Sequence, residues 1–381
     1  MDLKHLRTLF PHTETMVYMN HAAMAPLSRP VLAAIDRYLE QRHRTHIENF
    51  FAFMPVMEET KARLARLIGT TPEWVEFMPN TSYGLNVLAQ GLDWQPGDRV
   101  AVPACEFPAN VFPFLNLRRR GVQVDFIPAP GGTFTPDDVA AVLTPRTRVF
   151  SVSAVQFLSG FRADLAALGA LCRERGILFC VDAIQALGAL RIDVAACGID
   201  VLACGGHKWL MATTGMGFLY VHPALIERIH PPAGWLHGPV DWEHLCDYEL
   251  AFYPDARRFR IGTTNGPGIA ALHAALGVYF EAGPAWCEAR VLDNARRLAD
   301  GLARLGLRRI GATPEPTSGI VTVAHPDAEA LLEHLQRQNI YAAVRNRHLR
   351  FSPTYYNTRD EIDAVVDAVA AYGKTHVATG S

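Results

Sequence analysis

The chain has 381 residues, of which 49% are hydrophobic, and its 36 Lys and Arg residues against 38 Asp and Glu residues give a formal net charge of −2. This length is enough for two domains of ~100 to 200 residues, each with a buried core. The charge balance lacks the basic excess of proteins that bind nucleic acids or anionic membranes, and it favours small-molecule chemistry.

Cysteines and the N-terminus indicate the compartment. Seven cysteines lie outside any CxxC pair, several of them in apolar runs, which is typical of reduced thiols in a cytosolic protein and indicates neither disulfides nor a metal site. The first residues, MDLKHLRTLFPHTET, contain no long apolar stretch, and no later segment approaches ~18 consecutive apolar residues. We expect no signal peptide, no membrane span and a cytoplasmic location.

The first two thirds of the chain predict a parallel sheet wrapped by helices. Helical spacing of apolar residues predicts two helices between Pro30 and Gly69, and Gly69 suits a C-cap. Apolar runs then alternate with helical runs such as Ala109 to Arg120 and Pro136 to Leu143, a pattern of α/β folds. We expect about seven strands in one sheet, at WVEFM, RVAVP, VQVDFIP, RVFSVSAVQ, ILFCVDA, IDVLACGG and GMGFLYV. The last strand is expected to be antiparallel to its predecessor.

Beyond Gly262 the pattern changes to that of a smaller α+β domain. We expect a long helical region from Pro267 to Leu305, then strands and helices at TSGIVTVAHP, 327–338, LRFSP and 359–372. The predicted division is a large domain over 1–265 and a small C-terminal domain over 266–381. No repeat or low-complexity linker separates them, so the two domains are expected to pack directly and enclose a site.

Two polar residues follow successive strands, at the sheet edge where open parallel sheets bind ligands. In ILFCVDAIQ, Asp182 ends a buried strand and is followed by Gln185; a protonated pyridine nitrogen would be a suitable partner for this carboxylate, and a helix N-cap is the alternative. In VLACGGHKWL, Lys208 lies among apolar and aromatic neighbours, where an amine can form a Schiff base and carry a proton. A single lysine is usually a solvated charge, but the pairing with Asp182 weakens that interpretation.

Two other strand ends carry candidate cofactor contacts. WVEFMPNTSYG leads into a helix whose first turn offers Thr81, Ser82 and free backbone N–H groups to a phosphate, although ordinary capping explains this stretch equally well. In AVPACEFPANVF, Phe107 has a face that suits stacking on a flat ring, or it is a plain loop residue. The motifs GxGxxG, GxxxxGK[ST], GxSxG and HExxH are absent, which argues against nicotinamide, P-loop, serine-hydrolase and zinc-protease chemistry.

The ordered set VDAIQ, GGHKWL, TGMGFLYV, GTTN and RFSPTYYNT resembles the class V aminotransferase superfamily of fold-type I pyridoxal 5′-phosphate (PLP) enzymes. That group includes cysteine desulfurases, selenocysteine lyase, kynureninase and isopenicillin N epimerase. The likeness runs from YMNHAAMAP to YNTRDEID, nearly the whole chain. It implies a large domain with a mostly parallel seven-stranded sheet, a smaller C-terminal α+β domain, and an obligate homodimer with shared active sites.

The resemblance also implies roles for single residues. Lys208 would hold PLP as a Schiff base, and Asp182 would pair with the pyridine nitrogen. The other implied cofactor contacts are Gln185 to the phenolic oxygen, Phe107 stacked on the ring, and Thr81, Ser82, His207 and the neighbouring subunit's Thr263 at the phosphate. The implied substrate contacts are Arg350 at the carboxylate, with Asn20 and His21 of the N-terminal segment 1–30 lining the pocket.

Recognition of the substrate side chain is expected from AGWLHGPVDWEHL together with Arg345, Arg347 and His348, although that aromatic segment equally suits a dimer interface.

Three departures from the family pattern narrow the expected reaction. Gly205 stands where the family often has Ser or Thr, Phe107 stands where desulfurases have a histidine, and Val344–Ser352 lacks the cysteine that forms a persulfide in desulfurases. A desulfurase-like scaffold without the sulfur-accepting cysteine favours a β-eliminating C–S lyase acting on a small amino acid, with aminotransferase and epimerase as alternatives. A silent binding paralogue or a sulfur-delivery subunit is a further alternative, against which the intact lysine argues.

Overall fold

The computed structural model describes residues 1–311 and 313–377. Its strands are β1 (Val17–Tyr18), β2 (Val75–Met78), β3 (Arg99–Pro103), β4 (Gln123–Ile127), β5 (Thr147–Ser153), β6 (Leu178–Asp182), β7 (Val201–Gly205), β8 (Gly217–Val221), β9 (Val321–Ala324), β10 (Ile340–Tyr341), β11 (Ala343–Arg345) and β12 (His348–Phe351). The α-helices are α1 (Leu3–Thr8), α2 (Arg29–Glu40), α3 (Phe50–Ile68), α4 (Thr81–Gly91), α5 (Phe112–Leu115), α6 (Pro136–Val142), α7 (Leu165–Arg175), α8 (Gly266–Ala282), α9 (Pro284–Arg304), α10 (Ala328–Gln336) and α11 (Arg359–Val377).

The main sheet has seven strands in the order β2-β8-β7-β6-β5-β3-β4. All of its strands run in one direction except β8, which is antiparallel to both neighbours. β2, β7 and β8 are fully buried, and β3, β5 and β6 each have one partly exposed residue, because helices cover both faces, as is usual for parallel sheets. The prediction of a seven-stranded, mostly parallel α/β sheet with an antiparallel β8 is confirmed.

Local sequence explains where several helices begin and end. α3 ends at Gly69, whose φ of 73° is the left-handed conformation that favours glycine. α7 begins at Asp164, which accepts a hydrogen bond from the Ala167 amide, and ends at Gly176 with φ 64°. These caps fix the connections that carry the chain back to the sheet. No described helix is long and apolar enough to cross a bilayer.

The C-terminal part forms a second core around the antiparallel sheet β11-β12-β9. Leu298, Leu331, Leu349 and Ile362 are completely buried in it. The N-terminal strand β1 also joins this part, because Val17 and Tyr18 pair in parallel with β10. The first residues of the chain therefore lie beside the C-terminal part, where they can contribute to a site between the two cores.

Two expected elements differ in the structure. The stretch from Ala109 to Arg120 is divided into 3₁₀ turns around the four-residue α5, because Pro113 has no backbone N–H to donate to the Ala109 carbonyl, as one continuous helix would require. The region expected to be helical from Pro267 to Leu305 is interrupted at Gly283, whose φ is 95°, and forms the two helices α8 and α9.

The division of the chain at residue 265 stays a prediction, and core packing suggests a later boundary. Ile269 and Leu272 of α8 belong to the core of the large sheet, as does Val291 of α9. Ala295 and Leu298, one turn further along α9, belong to the small core. We propose that the boundary between the two domains lies inside α9.

Candidate active site

A cavity of about 350 Å³ lies where the carboxyl ends of the main-sheet strands face the C-terminal part. We call it the Lys208 cavity. It is lined by Ala22, Ala23, Asn80, Thr81, Ser82, Phe107, Ala109, Phe157, Asp182, Ile184, Gln185, His207, Lys208, Arg345 and Arg350. Within the two described ranges, no group of three or more His, Cys, Asp and Glu side chains is placed to hold a metal ion.

Asp182 is a buried carboxylate at the end of β6. Its side chain is 1% exposed, and Oδ1 accepts a hydrogen bond of 2.9 Å from the Ile184 amide. The pKa of Asp182 is raised to about 7, mainly by burial and also by the charge of Glu106, against the opposing effects of the Ile184 amide and Lys208. A cationic N–H group of a ligand would relieve this cost, as a protonated pyridine nitrogen does.

Lys208 follows β7 and extends its amine into the same cavity. The pKa of Lys208 is lowered to about 8, mainly by burial and also by Arg350 and Arg345, against the opposing charge of Asp182. Its Nζ lies 5.6 Å from the centre of the Phe107 ring, which packs edge to face on Phe157. A fraction of this amine is therefore neutral near pH 7 and able to act as a nucleophile or base.

Gln185 is held in one orientation by a residue that sequence reasoning missed. The indole Nε1 of Trp209 donates to Gln185 Oε1 at 3.0 Å, and Gln185 Nε2 donates to the Ala22 carbonyl at 3.0 Å. Both side chains are buried. The second N–H of the amide remains available to a ligand in the cavity, which suits a donor to a ring oxygen.

The N-terminus of α4 forms the other end of the cavity. Asn80 caps this helix by accepting a hydrogen bond of 2.9 Å from the Tyr83 amide, and the hydroxyl of Thr81 is buried without a partner among the described residues. An unpaired donor and free N–H groups at a helix N-terminus fit a phosphate. Burial and the charge of Lys208 lower the pKa of the neighbouring His207, which favours its neutral form.

Gly205 provides space at this phosphate end. A Cβ atom added there would lie 3.3 Å from Thr81 Oγ1 and 3.0 Å from Ile184 Cδ1. A side chain at position 205 would therefore crowd the unpaired hydroxyl. The departure from the family pattern at Gly205 leaves the Thr81 hydroxyl room to bind a ligand.

Arg350 and Arg345 bring positive charge to the opposite wall. Arg350 is 2% exposed, and its Nη1 donates to the Phe157 carbonyl at 2.7 Å, while its Nε has no partner among the described residues. Burial and the charge of Arg345 lower the pKa of Arg350 to about 10, so the guanidinium is still charged at neutral pH. Its free edge suits a carboxylate.

The structure does not bring Asn20 and His21 to the cavity wall. His21 is fully buried, and its ring nitrogens contact the Ser352 carbonyl at 2.9 Å and the Tyr356 hydroxyl at 2.5 Å. These contacts hold the N-terminal segment so that the next residues, Ala22 and Ala23, face the cavity. Burial lowers the pKa of His21 to about 3, so it is neutral and has a supporting position here.

Thr263 also lies outside the Lys208 cavity of its own chain. It lines a separate cavity of about 280 Å³ together with Met78 and Tyr83. The resemblance assigned Thr263 to the neighbouring subunit's phosphate, and its position in the single chain is compatible with that assignment. Its role stays a prediction.

Glu106 is a second residue that sequence reasoning missed. Its buried carboxylate accepts hydrogen bonds from the Ser153 amide at 2.6 Å, the Ser153 hydroxyl at 2.5 Å and Gln156 Nε2 at 2.7 Å. Glu106 precedes Phe107 in the chain, so these bonds fix the loop that carries the aromatic ring. The sequence signal that could have indicated Glu106 is a charged residue between a cysteine and a phenylalanine in ACEFP, directly after an apolar strand.

Comparison with known proteins identifies the family. The family model "Aminotransferase class-V" matches residues 17–365. The chain is 29% identical over 282 residues to a protein named probable cysteine desulfurase from Methanothermobacter thermautotrophicus, covering 72% of this chain and 70% of that one. It is 28% identical over 390 residues to isopenicillin N epimerase from Streptomyces clavuligerus, covering 94% and 95% of the two chains.

The fold has a close match among solved structures. A cysteine desulfurase from Thermococcus onnurineus NA1 superimposes with a TM-score of 0.89 at 24% identity, and the match covers 98% of each chain. This likeness agrees with the large parallel sheet and the smaller C-terminal part described above. With a family model that spans most of the sequence and a cavity that fits the cofactor, the chain belongs to the class V aminotransferase family and is a PLP-dependent enzyme.

Proposed function

We propose that this enzyme is a β-eliminating C–S lyase that acts on a small sulfur-containing amino acid. The observation that carries the proposal is a cavity with Lys208, Asp182 and Arg350 in its wall and, among its described lining residues, no cysteine. The family contains enzymes named cysteine desulfurases, which pass sulfur to a protein thiol in the family pattern. Without such a thiol, the sulfur product leaves directly.

The residues of the chain divide the work. When bound, PLP supplies a carbonyl that condenses with the substrate amine and a ring that accepts electrons from the bond broken at Cα. Arg350 holds the substrate carboxylate through its free guanidinium edge. Lys208 Nζ would take the Cα proton, and the Asp182 carboxylate would stabilise a proton on the ring nitrogen of bound PLP.

The overall reaction balances without an oxidant. Cysteine and water give pyruvate, ammonia and hydrogen sulfide: the Cα–H and Cβ–S bonds break, the electron pair of the Cβ–S bond leaves with sulfur, and sulfur gains a proton. The three cysteines nearest in sequence to site residues do not offer a reactive thiolate. Burial raises the pKa of Cys105 and of Cys180 to about 12, and it raises the pKa of Cys204 well above its ordinary value.

Transamination is the second candidate, because the family name describes that reaction and the same proton transfers begin it. Epimerisation is a third, since the Streptomyces relative bears that name. The three outcomes differ only after the Cα proton has been removed. A silent binding protein is the remaining alternative, and the presence of Lys208, Asp182 and Arg350 argues against it.

We also propose a homodimer with shared active sites. Exposed apolar side chains cluster around one groove formed by the α2–α3 junction and the segment from Trp235 to Thr264. Ile47 is 65% exposed, Phe51 71% and Trp242 59%, which is a large apolar surface for a free monomer. A second copy seated on this groove would cover it and bring Thr263 toward the partner's cavity.

The shared site is tested by mixing two defective chains. Lys208→Ala and Thr263→Val variants are co-expressed, and the cofactor dissociation constant is measured. Thr263 acting across the interface restores a class of sites with wild-type affinity in the mixed dimer. If no class of sites with wild-type affinity is restored, or if the protein sediments as a monomer, the shared site is contradicted.

A cytoplasmic location, without nucleic-acid or membrane partners, stays a prediction. Its support is the near-neutral charge and seven free cysteines, four of them buried.

The first experiment is visible absorption of the purified protein, with Lys208→Ala alongside and the exposed Lys4→Ala as the matched control. A band of the lysine-bound cofactor is expected in the wild type and the control and absent from Lys208→Ala. Cysteine, cystine, cysteine sulfinate and alanine are then added. Formation of pyruvate together with sulfide or sulfinate would identify a lyase. Conversion of the cofactor to a stable pyridoxamine form would identify an aminotransferase. A wild type without the band even after added PLP contradicts the whole proposal.

A further inference from the structure

Three basic residues share one face of the small-domain hairpin. β11 and β12 are joined by a two-residue turn at Asn346 and Arg347, whose φ values are 48° and 64°. In the register of this hairpin, Arg345 lies opposite His348, and Ala343 lies opposite Arg350. Opposite residues, and residues two apart on a strand, point to the same side. Arg345, His348 and Arg350 therefore lie on one face, which we call the basic hairpin face.

The basic hairpin face is turned toward the large domain. Arg345 and Arg350 both line the Lys208 cavity. Arg350 donates to the Phe157 carbonyl, and Thr322, its opposite residue on β9, donates to the Leu158 carbonyl at 2.6 Å. The hairpin is thus fixed to the loop after β5, and the two arginines have defined positions in the cavity wall.

Within the part of the chain that the structure describes, the arginines of this face have no ion-pair partner. Among the described residues, neither Arg345 nor Arg350 forms an ion pair, and Asp182 is the single carboxylate in the cavity wall. Arg350 Nε and His348 Nδ1 are buried without partners. Arg345 and Arg350 line the same cavity, and Arg345 lowers the pKa of the buried Arg350. An anion bound between them would be attracted by both guanidinium groups and would offset the cost of burying Arg350.

An ordinary amino acid brings one carboxylate, which neutralises one arginine. We infer that the substrate of this enzyme carries a second acidic group on its side chain, which Arg345 binds while Arg350 holds the α-carboxylate. The inference rests on the proposed function and narrows its substrate class. The second group is a carboxylate or sulfinate, since both present paired oxygens to a guanidinium fork. Cysteine sulfinate and cystine, which has a distal carboxylate, belong to this class.

The position of Arg345 suits a distal group. Arg345 is exposed, and among the described residues its guanidinium makes one hydrogen bond, from Nη1 to the adjacent Val344 carbonyl at 2.8 Å, so the rest of the group is available. Arg350 is buried deeper in the wall. An extended substrate would place its α-carboxylate at Arg350 and its second acidic group toward Arg345.

The test measures binding without turnover. Butyrate, succinate, glutarate and adipate are titrated calorimetrically into the PLP-loaded protein at fixed ionic strength. At least one dicarboxylate is expected to bind 10-fold or more tightly than butyrate. Arg345→Gln is expected to weaken the binding of that dicarboxylate by about 10- to 100-fold, which corresponds to the loss of a hydrogen bond between charged groups. The affinity for butyrate should stay unchanged. Arg337→Gln, which removes an exposed charge paired with Glu333 on α10, is the matched control.

The outcomes separate this inference from the proposed function. A wild-type protein without the visible cofactor band would contradict both the proposed function and the second acidic group. A normal band, together with butyrate binding that is lost in Arg350→Gln, leaves the proposed function standing. If in that case no dicarboxylate binds more tightly than butyrate, or Arg345→Gln and Arg337→Gln behave alike, the second acidic group is overturned.

Discussion

Arg260 donates two hydrogen bonds to Glu76, from Nε at 3.1 Å and from Nη2 at 2.9 Å, and Lys61 Nζ lies 3.2 Å from the same carboxylate. Glu76 is completely buried on β2. Arg260 immediately precedes the segment that carries Thr263. The buried ion triad therefore anchors this segment to the main sheet, at the point where the long connection between β8 and α8 leaves the 3₁₀ helix Ala256–Phe259.

Glu76→Gln tests this anchor. The amide leaves Lys61 and Arg260 without a buried counter-charge, so we expect the free energy of unfolding to fall by about 3 to 5 kcal/mol. Glu59→Gln is the control, because Glu59 pairs with Arg63 at the surface and should change stability by less than about 1 kcal/mol. Urea unfolding at one protein concentration measures both. Equal small effects would mean that the triad contributes little.

Asp182→Asn is expected to stabilise the cofactor-free protein above neutral pH. The folded chain raises the pKa of Asp182 from 3.8 to about 7, first through burial and then through Glu106. The folded state thus binds this proton more tightly than the unfolded state, and the contribution of Asp182 to stability falls as pH rises from about 4 to about 7. The shift is worth of order 4 kcal/mol. The variant should be more stable than wild type at pH 7.5 and equal near pH 4.

The same substitution should weaken PLP binding, because the neutral amide would offer no charge to the protonated ring nitrogen. Asp138→Asn is the control, and it should change stability in the opposite direction. The exposed carboxylate of Asp138 accepts hydrogen bonds from Thr135, which lower the pKa of Asp138. Removing this charge should therefore destabilise the protein at neutral pH. Urea unfolding of both variants at three pH values, with PLP titration, provides the measurement. A loss of stability in Asp182→Asn at pH 7.5 would contradict the burial cost.

Sequence predicted the main sheet and the centre of the site for one reason. Each strand is a short apolar run, and parallel strands bring their carboxyl ends to one edge, so Asp182 and Lys208 had to meet. Trp209 and Glu106 were missed because their roles depend on contacts across the fold, with Gln185 and Ser153. His21 does not line the cavity because its ring is held by Tyr356, 335 residues away in the chain. Periodicity carries no information about such pairs.

Thr81→Val tests the phosphate end of the cavity. The Thr81 hydroxyl has no partner among the described residues, so its removal should leave the free energy of unfolding nearly unchanged. A hydrogen bond to a charged group is worth about 1.5 to 3 kcal/mol, which predicts a PLP dissociation constant raised about 10- to 150-fold. Thr213→Val is the control, since its hydroxyl is equally unpartnered but lies outside the cavity wall. Equal PLP affinities in the two variants would remove Thr81 from the phosphate site.

Trp209→Phe tests the orientation of Gln185. The substitution removes the indole N–H and leaves Gln185 Oε1 buried without a donor, so the protein should lose about 1 to 3 kcal/mol of stability. The amide is then free to turn, its second N–H no longer faces the cavity, and PLP should bind about 10-fold more weakly. Trp94→Phe makes the same chemical change in the core, where Trp94 Nε1 donates to the Ala89 carbonyl at 2.8 Å. It should cost similar stability without altering PLP affinity, measured by titration of the visible band. If the two variants bind PLP equally well, the Trp209 hydrogen bond serves packing alone, and the amide of Gln185 keeps its orientation through the Ala22 carbonyl.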